Sequence, residues 1–123
     1  MASIELQKTD LTFTEIGINA GLMPDEAVYD AISSAGEGVV GRARIIPFGA
    51  MAEIGYQVDE TKRLRGFGTA ICRQVSDLAL ANYPEVFAQV DTDNPASMRV
   101  LEKSGFFATD HLETSVIYKR FRS

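Results

Sequence analysis

Alternating apolar and polar positions predict strands along much of the chain. Residues 52–58 show the alternation most clearly, because Ala52 and Ile54 fall on one face and Glu53 falls on the other. Shorter apolar runs predict further strands over residues 4–8, 39–46, 86–90, 106–109 and 114–121. The strand at 39–46 is expected to end at Pro47. Strands therefore outnumber helices in the expected fold.

Apolar residues at helical spacing predict three helices. The first covers residues 24–36, where a proline and two acidic residues are typical of a helix start and a glycine of its end. The second follows the glycines of residues 66–68 and ends at the Tyr-Pro pair of residues 83–84. The third covers residues 94–103, with asparagine as its cap and proline as its first residue. Residues 10–22 give no clear element, because two glycines weaken a helix there.

The overall composition is that of an ordinary globular domain, with 123 residues, 46% hydrophobic and 24% charged. This composition excludes intrinsic disorder, and the length predicts one domain over residues 1–123. The sequence has no run of about 18 apolar residues that would predict a membrane span, and no signal peptide is apparent. Cys72 is the one cysteine, so it can form no disulfide within the chain, and a reducing cytoplasm is the expected location. We expect Cys72 to be buried as a small apolar residue of a helix. One cysteine and one histidine give no ligand set for a metal cluster.

Charge is divided unevenly along the chain, whose net charge is −5. Residues 1–61 hold ten acidic and three basic side chains, whereas residues 62–123 hold seven acidic and nine basic ones. An acidic protein lacks the broad basic face that nucleic acid requires, so nucleic acid is not the expected partner. The basic cluster of Lys62, Arg63 and Arg65 instead indicates a small anionic ligand, the alternative being an ordinary mixed surface.

A glycine-rich turn stands between the strand at 52–58 and the helix that follows it. Gly66 and Gly68 allow the backbone to approach a ligand closely, and the free N–H groups of a helix N-terminus favour an anion. The turn therefore predicts a phosphate or pyrophosphate site. It is not a nucleotide P-loop, since no Gly-x-x-x-x-Gly-Lys-Ser/Thr run is present, and Ile71 replaces the last glycine of a dinucleotide fingerprint. A plain glycine turn into a helix is the alternative.

Two motifs on these elements together resemble the GNAT superfamily of acetyl-CoA-dependent N-acetyltransferases. Residues 63–68 read Arg-Leu-Arg-Gly-Phe-Gly and fit that family's cofactor loop, Gln/Arg-x-x-Gly-x-Gly/Ala. Residues 94–97 read Asn-Pro-Ala-Ser and are followed by a Gly-Phe pair at 105–106, as in the family's next signature block. The strand at 52–58 looks like the branch that includes the ribosomal-protein N-terminal acetyltransferases. The resemblance covers about residues 39–120.

The resemblance implies a mixed α/β (α+β) fold, with a mostly antiparallel central sheet flanked by helices and a splayed strand pair that holds acetyl-CoA. Backbone groups of the splayed strand would bond the pantetheine arm, and N–H groups of the glycine loop would hold the pyrophosphate. Side chains of the second motif, including Arg99 as an alternative to Lys103, would contact the rest of the cofactor. The implied cofactor-binding residues are Val58, Arg63, Leu64, Arg65, Gly66, Phe67, Gly68, Thr69, Asn94 and Lys103.

Acetyl transfer needs a base that takes a proton from the attacking amine, and a carboxylate can do so directly or through water. The resemblance places this base at Glu53, in the central strand. Asp91 and Asp93 are the alternatives. No metal is implied for this chemistry.

The leaving thiolate can be protonated by a general acid, and here the sequence departs from the commonest family pattern. Many members carry a tyrosine seven residues after the asparagine of the second block, where this chain has Leu101. The resemblance implies Ser97 as the substitute acid, with Tyr56 and Tyr118 held in reserve.

The resemblance implies an N-acetyltransferase that moves an acetyl group from acetyl-CoA to a primary amine by direct attack. About 38 residues precede the strand at 39–46, fewer than the family usually has, so we expect an open acceptor site. Either the acceptor is large, such as a protein amine, or a partner subunit completes the pocket, and the acidic first half favours a cationic acceptor. Exposed edge strands in short family members often pair, which favours a homodimer. The competing interpretation is a catalytically inactive acyl-CoA-binding sensor or subunit.

Overall fold

Seven strands hydrogen-bond into one sheet in the computed structural model, which describes residues 3–9 and 26–122. Each strand carries buried apolar residues on at least part of its length, except the last but one, which is exposed throughout. The strands are β1 Ile4–Lys8, β2 Ala27–Ser33, β3 Val39–Phe48, β4 Met51–Val58, β5 Glu85–Asp91, β6 Phe107–His111 and β7 Ser115–Phe121.

The sheet has the order β1-β2-β3-β4-β5-β7-β6. Its neighbouring strands are antiparallel except β4 and β5, which run parallel and are joined by a crossover connection that contains a helix. A mixed, mostly antiparallel sheet was predicted from the sequence resemblance, and the structure confirms it.

Two helices pack beside the sheet, α1 Phe67–Leu80 and α2 Pro95–Lys103, and a short 3-10 turn covers Glu60–Lys62. The apolar side of α1 buries Ile71 and Val75 completely in the core beneath β3 and β4. The backbones of β3 and β4 approach closely here, since a Cβ on Gly41 would collide with the carbonyl oxygen of Gln57. Neither helix is long and apolar enough to span a membrane, a finding that covers the described residues.

The two parallel strands separate soon after they meet. Their register pairs Ala52 with Val86 and Glu53 with Phe87, and it gives no further pair in the described chain. The rest of β4 continues to Val58 along β3 while β5 stays beside β7. The sheet therefore opens at Glu53, and backbone groups on the β5 side of β4 are left for other partners. This gap is the splay that the resemblance predicted.

Most predicted elements match the observed ones, and the first helix is the main error. Within residues 24–36, Ala27–Ser33 form β2 instead, because both edges of this segment are paired, with β1 and with β3, and a turn follows it. A strand flanked on both sides gains a complete set of backbone hydrogen bonds, which outweighs a short helical spacing of apolar residues. The predicted helix start at residues 24–25 and the undecided residues 10–22 lie outside the described residues.

Smaller differences concern the ends of elements. Pro47 does not end β3, which continues to Phe48 because it lies next to the turn into β4. Helix α1 ends at Leu80, before the Tyr-Pro pair at 83–84. Strand β6 extends two residues beyond the predicted end at residue 109, to the exposed His111.

Candidate active site

The glycine turn brings an uncapped helix N-terminus to the surface. Gly66 stands at the cap position of α1 with φ of +85°, a left-handed conformation that costs other residues about 1–2 kcal/mol. No side chain of the described chain caps the helix, and its first turn holds no acidic residue. The earliest helical bond is from the Ala70 N–H to the Gly66 carbonyl, at 3.2 Å. The N–H groups before Ala70 are therefore available to an anion.

A cavity of about 580 Å³, here called the loop cavity, lies in front of this helix end. Four cationic side chains line it, and no carboxylate does so among the described residues. Gly68 belongs to its wall, where a Cβ would come within 3.5 Å of Val100. Besides Val100, the lining comprises Tyr56, Gln57, Val58, Lys62, Arg63, Leu64, Gly66, Gly68, Thr69, Asn94, Ala96, Ser97, Arg99 and Lys103.

Two of the predicted cofactor residues do not line the loop cavity. The Arg65 guanidinium forms two hydrogen bonds of 2.7 Å with Glu37, at the turn between β2 and β3. The hydrogen bonds from Arg65 hold the pKa of Glu37 below its usual value, with a further contribution from Lys62 at 3.4 Å. The Phe67 ring is buried in the core and lies 5.0 Å from the Arg65 guanidinium. Arg65 therefore ties the loop to the sheet.

The second motif opens α2 beside the same cavity. The Asn94 side-chain oxygen accepts a hydrogen bond of 3.2 Å from the Ser97 N–H, which confirms the predicted helix cap. The Ser97 hydroxyl lies 2.8 Å from the Tyr56 hydroxyl across the splay, a hydrogen-bond distance. Burial raises the pKa of Tyr56 to about 12, although the bond to Ser97 opposes this shift. The phenol is therefore protonated at neutral pH.

A second cavity, of about 350 Å³ and here called the strand cavity, contains Glu53. Strand alternation places Glu53 on the sheet face opposite to Tyr56. The lining is Val28, Arg42, Ala43, Arg44, Glu53, Ile54, Gly55, Tyr56, Gln57, Ala88, Gln89, Ser97 and Leu101. It shares Tyr56, Gln57 and Ser97 with the loop cavity. The two cavities therefore meet in the splay between β4 and β5.

Burial and a nearby guanidinium act in opposite directions on Glu53. Half-burial raises the pKa of this carboxyl group, and the charge of Arg44 lowers it. Arg44 lies over Gly55, since a Cβ there would be 2.9 Å from its Nε atom. One Arg44 nitrogen is also 3.7 Å from a carboxylate oxygen of the buried Glu26 side chain. Glu53 thus combines a raised pKa with an open cavity, as a general base requires.

The alternative acid and base candidates lie elsewhere. Asp91 and Asp93 are exposed and line neither cavity. The Tyr118 hydroxyl donates a hydrogen bond of 3.1 Å to Glu102, away from both cavities. Leu101 is almost fully buried and offers no proton.

Cys72 lies on α1 and is fully buried in the hydrophobic core, as the sequence predicted. Burial raises the pKa of this thiol to about 11, so it remains neutral and is a poor nucleophile. Within the described ranges, no three His, Cys, Asp or Glu side chains form a group that could hold a metal ion.

Sequence reasoning missed three contacts of this site, namely Tyr56 with Ser97, Arg65 with Glu37, and Arg44 with its acidic neighbours. The alternation of residues 52–58 does place Tyr56 on the same face of β4 as Ala52 and Ile54, but it does not indicate Ser97 as its partner. No local signal pointed to the pairing of Arg65 with Glu37, which are 28 residues apart.

The arrangement separates two kinds of chemistry across the sheet. The loop cavity offers backbone N–H groups and cations to an anionic group, and its lining continues to Tyr56 and Ser97 at the splay. The strand cavity offers a carboxylate to a proton donor. The hydroxyl groups of Tyr56 and Ser97 stand where they meet. A ligand with a pyrophosphate at one end and a reactive group at the other fits this geometry.

Comparison with known families agrees with this geometry. The family model described as "Acetyltransferase (GNAT) domain" matches residues 6–107. No curated protein matches the chain. The match confirms the family resemblance drawn from the two motifs, while the ribosomal-protein branch stays a prediction.

Solved structures share the fold at low sequence identity. Spermidine N-acetyltransferase from Vibrio cholerae, in complex with CoA and spermine, gives a TM-score of 0.72 at 16% identity and covers 80% of this chain. A GNAT-family acetyltransferase from Bacillus anthracis gives 0.72 at 17% over 84%, and the N-acetyltransferase PseH from Campylobacter jejuni gives 0.70 at 14% over 81%. This chain spans between 66% and 70% of the length of these three structures.

Proposed function

The chain belongs to the GNAT acetyltransferase family, and on this basis we propose that it transfers an acetyl group from acetyl-CoA to a primary amine. One observation carries the proposal. A cation-lined cavity at an uncapped helix end and a cavity that holds a half-buried carboxyl group meet at Tyr56, Gln57 and Ser97. A donor and an acceptor can therefore approach each other from opposite faces of the sheet.

Acetyl-CoA, which supplies the activated acetyl group, fits the loop cavity. The N–H groups at the start of α1 and the side chains of Arg63 and Lys103 suit its phosphates. Beyond Glu53, the edge of β4 that faces away from β3 has no register partner on β5, and it can hydrogen-bond an amide-containing arm in the manner of an added strand. A neighbouring fold, the Vibrio cholerae enzyme, is described in complex with CoA, which supports this assignment.

Glu53 is the proposed general base. An amine attacks only in its neutral form, so a proton must leave it during the reaction. Glu53 lines the cavity from which the amine would approach, at the last residue pair before the strands separate. Backbone N–H groups of β4 beyond this point can stabilise the negative charge that develops on the carbonyl oxygen.

The proposed acceptor is a primary amine. The acidic first half of the chain favours a protein amine or another cationic amine. The neighbour from Vibrio cholerae is a spermidine N-acetyltransferase, which also favours a cationic amine. Arg42 and Arg44 in the strand cavity favour an acceptor with little positive charge near that wall. An acceptor screen should include both kinds of amine.

We also propose that the protein is cytoplasmic and forms a homodimer. A cytoplasmic location is supported by the single buried thiol of Cys72, which is typical of a reducing compartment. A homodimer is supported by the exposed outer strand β6, whose free edge could pair with a second copy.

The competing function is an acyl-CoA sensor or subunit that does not catalyse transfer. It is favoured by Leu101, which is buried and has no proton to donate where many family members carry a tyrosine. Both functions require cofactor binding, and only the enzyme releases CoA when an amine is added. Release of free thiol during an acceptor screen therefore separates the two.

Calorimetric titration with acetyl-CoA tests the cofactor site. The Gly66→Glu variant places a negative charge in the loop, and Gly49→Glu is its matched control. Gly49 also has a positive φ, of +63°, but lies in the turn between β3 and β4 with nothing within 4 Å of a Cβ. Both variants place a glutamate at a left-handed φ, +85° in the loop and +63° in the turn, and they add the same charge at different positions.

We expect micromolar binding by the wild-type protein and by Gly49→Glu, and its loss in Gly66→Glu. Absence of binding to the wild-type protein at millimolar acetyl-CoA would contradict both the enzyme and the sensor. Equal weakening by the two variants would show that strain, not the loop, controls binding.

A further inference from the structure

Two hydroxyl groups bridge the splay at the point where the cavities meet. The Tyr56 hydroxyl from β4 and the Ser97 hydroxyl from α2 are 2.8 Å apart, and both residues line both cavities. Other tyrosine and serine hydroxyls near α2 have different tasks, since Tyr118 bonds Glu102 and Ser104 bonds the Val100 carbonyl. Among the described tyrosine and serine side chains near α2, the Tyr56–Ser97 pair is thus placed to reach a group held in the splay from the side opposite to Glu53.

The pair is held rigidly from both sides. Ser97 sits in the first turn of α2, fixed through its N–H by the Asn94 cap. The Tyr56 ring packs at the edge of the core and is partly buried, which limits its rotation. The Tyr56 hydroxyl also lies 3.4 Å from the Ser97 carbonyl oxygen, so both contacts keep it against α2. Such positioning is what proton transfer within a site requires.

The two hydroxyls differ as acids. A phenol is far more acidic than an aliphatic alcohol, so Tyr56 is the better proton donor of the two. Burial raises the pKa of Tyr56 to about 12, so the phenol carries its proton at neutral pH and is available as a donor. When Ser97 donates its proton to the tyrosine oxygen, the phenolic O–H is left to donate either to the Ser97 carbonyl oxygen, at 3.4 Å, or to a group that enters the splay.

We propose that Tyr56 is the catalytic acid that protonates the departing sulfur of CoA, and that Ser97 is the positioning residue that orients it. This inference rests on the proposed acetyl transfer and adds the source of the second proton. It assigns Ser97 a different role from that of the acid implied by the sequence resemblance.

The step balances in protons and electrons. The amine nitrogen forms a bond to the acetyl carbon, and the carbon–sulfur bond breaks with its electron pair on sulfur. Glu53 takes the proton that the nitrogen loses, and Tyr56 gives its proton to sulfur. Glu53 then releases a proton to water while the tyrosinate regains one from water, so the site returns to its starting state.

A thiol titration tests the contact with sulfur and needs no acceptor amine. The ionisation of bound CoA is followed by the ultraviolet absorbance of its thiolate, with the complex of desulfo-CoA subtracted to remove tyrosine ionisation. A phenolic O–H that donates to the thiolate lowers the thiol pKa, so Tyr56→Phe should raise it by about one pH unit. Tyr118→Phe, which removes a hydroxyl outside both cavities, should leave it unchanged.

Ser97→Ala provides a second variant if Tyr56→Phe does not fold. It should raise the thiol pKa in the same direction by a smaller amount, because the phenol remains but loses its orientation. With an accepted amine, Tyr56→Phe should also lower kcat roughly a hundredfold without changing the KM for acetyl-CoA.

The outcomes separate this inference from the proposed function. If the wild-type protein binds CoA and acetylates an amine but Tyr56→Phe titrates and turns over like Tyr118→Phe, the inference is wrong and the function stands. If the wild-type protein does not bind CoA, both are wrong. A loss of affinity for CoA and desulfo-CoA alike, with no change in thiol pKa, would show a merely structural Tyr56.

Discussion

The loop cavity and the strand cavity are built from different parts of the chain. Most of the loop cavity comes from two short segments, residues 62–69 and 94–103, and its central feature is the backbone at the start of α1. The strand cavity combines side chains from β2, β3, β4 and β5 with two from α2, and its chemistry depends on Glu53 and Arg44. The loop cavity therefore depends on backbone groups at a helix start, whereas the strand cavity depends on side chains that the sheet brings together.

This difference separates two requirements of the proposed reaction. A donor that is always the same molecule can be held by N–H groups, whose direction is fixed by the helix. In the proposed reaction the acceptor meets side chains of the strands, which can change without altering the backbone. The comparison predicts that variants on the two sides affect different kinetic constants.

The largest expected effect comes from the strand cavity. Glu53→Gln keeps the size of the side chain but removes the base, so kcat should fall roughly a hundredfold or more. Affinity for acetyl-CoA, measured by calorimetry, should be unchanged because Glu53 does not line the loop cavity. The control is Asp91→Asn, an exposed carboxylate at the end of β5. An equal loss in Asp91→Asn would reverse the assignment of the base.

A smaller effect is expected in the loop cavity. Arg63→Ala removes one of the lining cations, and the dissociation constant of acetyl-CoA should rise roughly tenfold, equivalent to about 1.4 kcal/mol. Arg65→Ala removes a neighbouring cation that pairs with Glu37 instead, and it should leave the constant nearly unchanged. If both variants weaken binding equally, the Arg65 pair with Glu37 does not persist when the cofactor binds.

The smallest expected effect is a displacement of the pH profile. The charge of Arg44 lowers the pKa of Glu53, so Arg44→Gln should raise it. Because the base acts when ionised, the acidic limb of kcat/KM should move to higher pH, with a loss of activity on that limb and none above it. Arg42→Gln, in the same cavity but paired with Asp30 at 3.1 Å, is the control. A shift of the same size in both variants would contradict a specific role for Arg44.

Much of the fold could be predicted because its signals are short-range. Residues 4–8 form β1 as predicted, and the Asn-Pro start of α2 and the glycine start of α1 lie where their residue types favour them. Strand β2 could not be predicted in this way, since its seven residues carry helical spacing and become a strand only between β1 and β3. Pairing on both edges is a tertiary property.

The site was predictable to the same extent. Eight of the ten cofactor residues named from the motif line the loop cavity, and Glu53 lines the strand cavity. The Arg65 side chain instead pairs with Glu37 on a distant turn, a contact that no local signal indicates, and its role in cofactor binding stays a prediction. The Tyr56–Ser97 contact joins residues 41 positions apart, and neither residue alone indicates the other.

The sequence by itself determined the glycine loop, the helix starts and the family, because glycine conformation, caps and helix dipoles act within a few residues. Only the tertiary structure decided which cations face the loop cavity, how Arg44 opposes the effect of burial on Glu53, and which hydroxyl stands beside Ser97. These depend on sheet register and on the gap between β4 and β5, which bring distant side chains within a few ångströms. Charge and hydrogen bonding act over those short distances, so the chemistry of the site is completed only by folding.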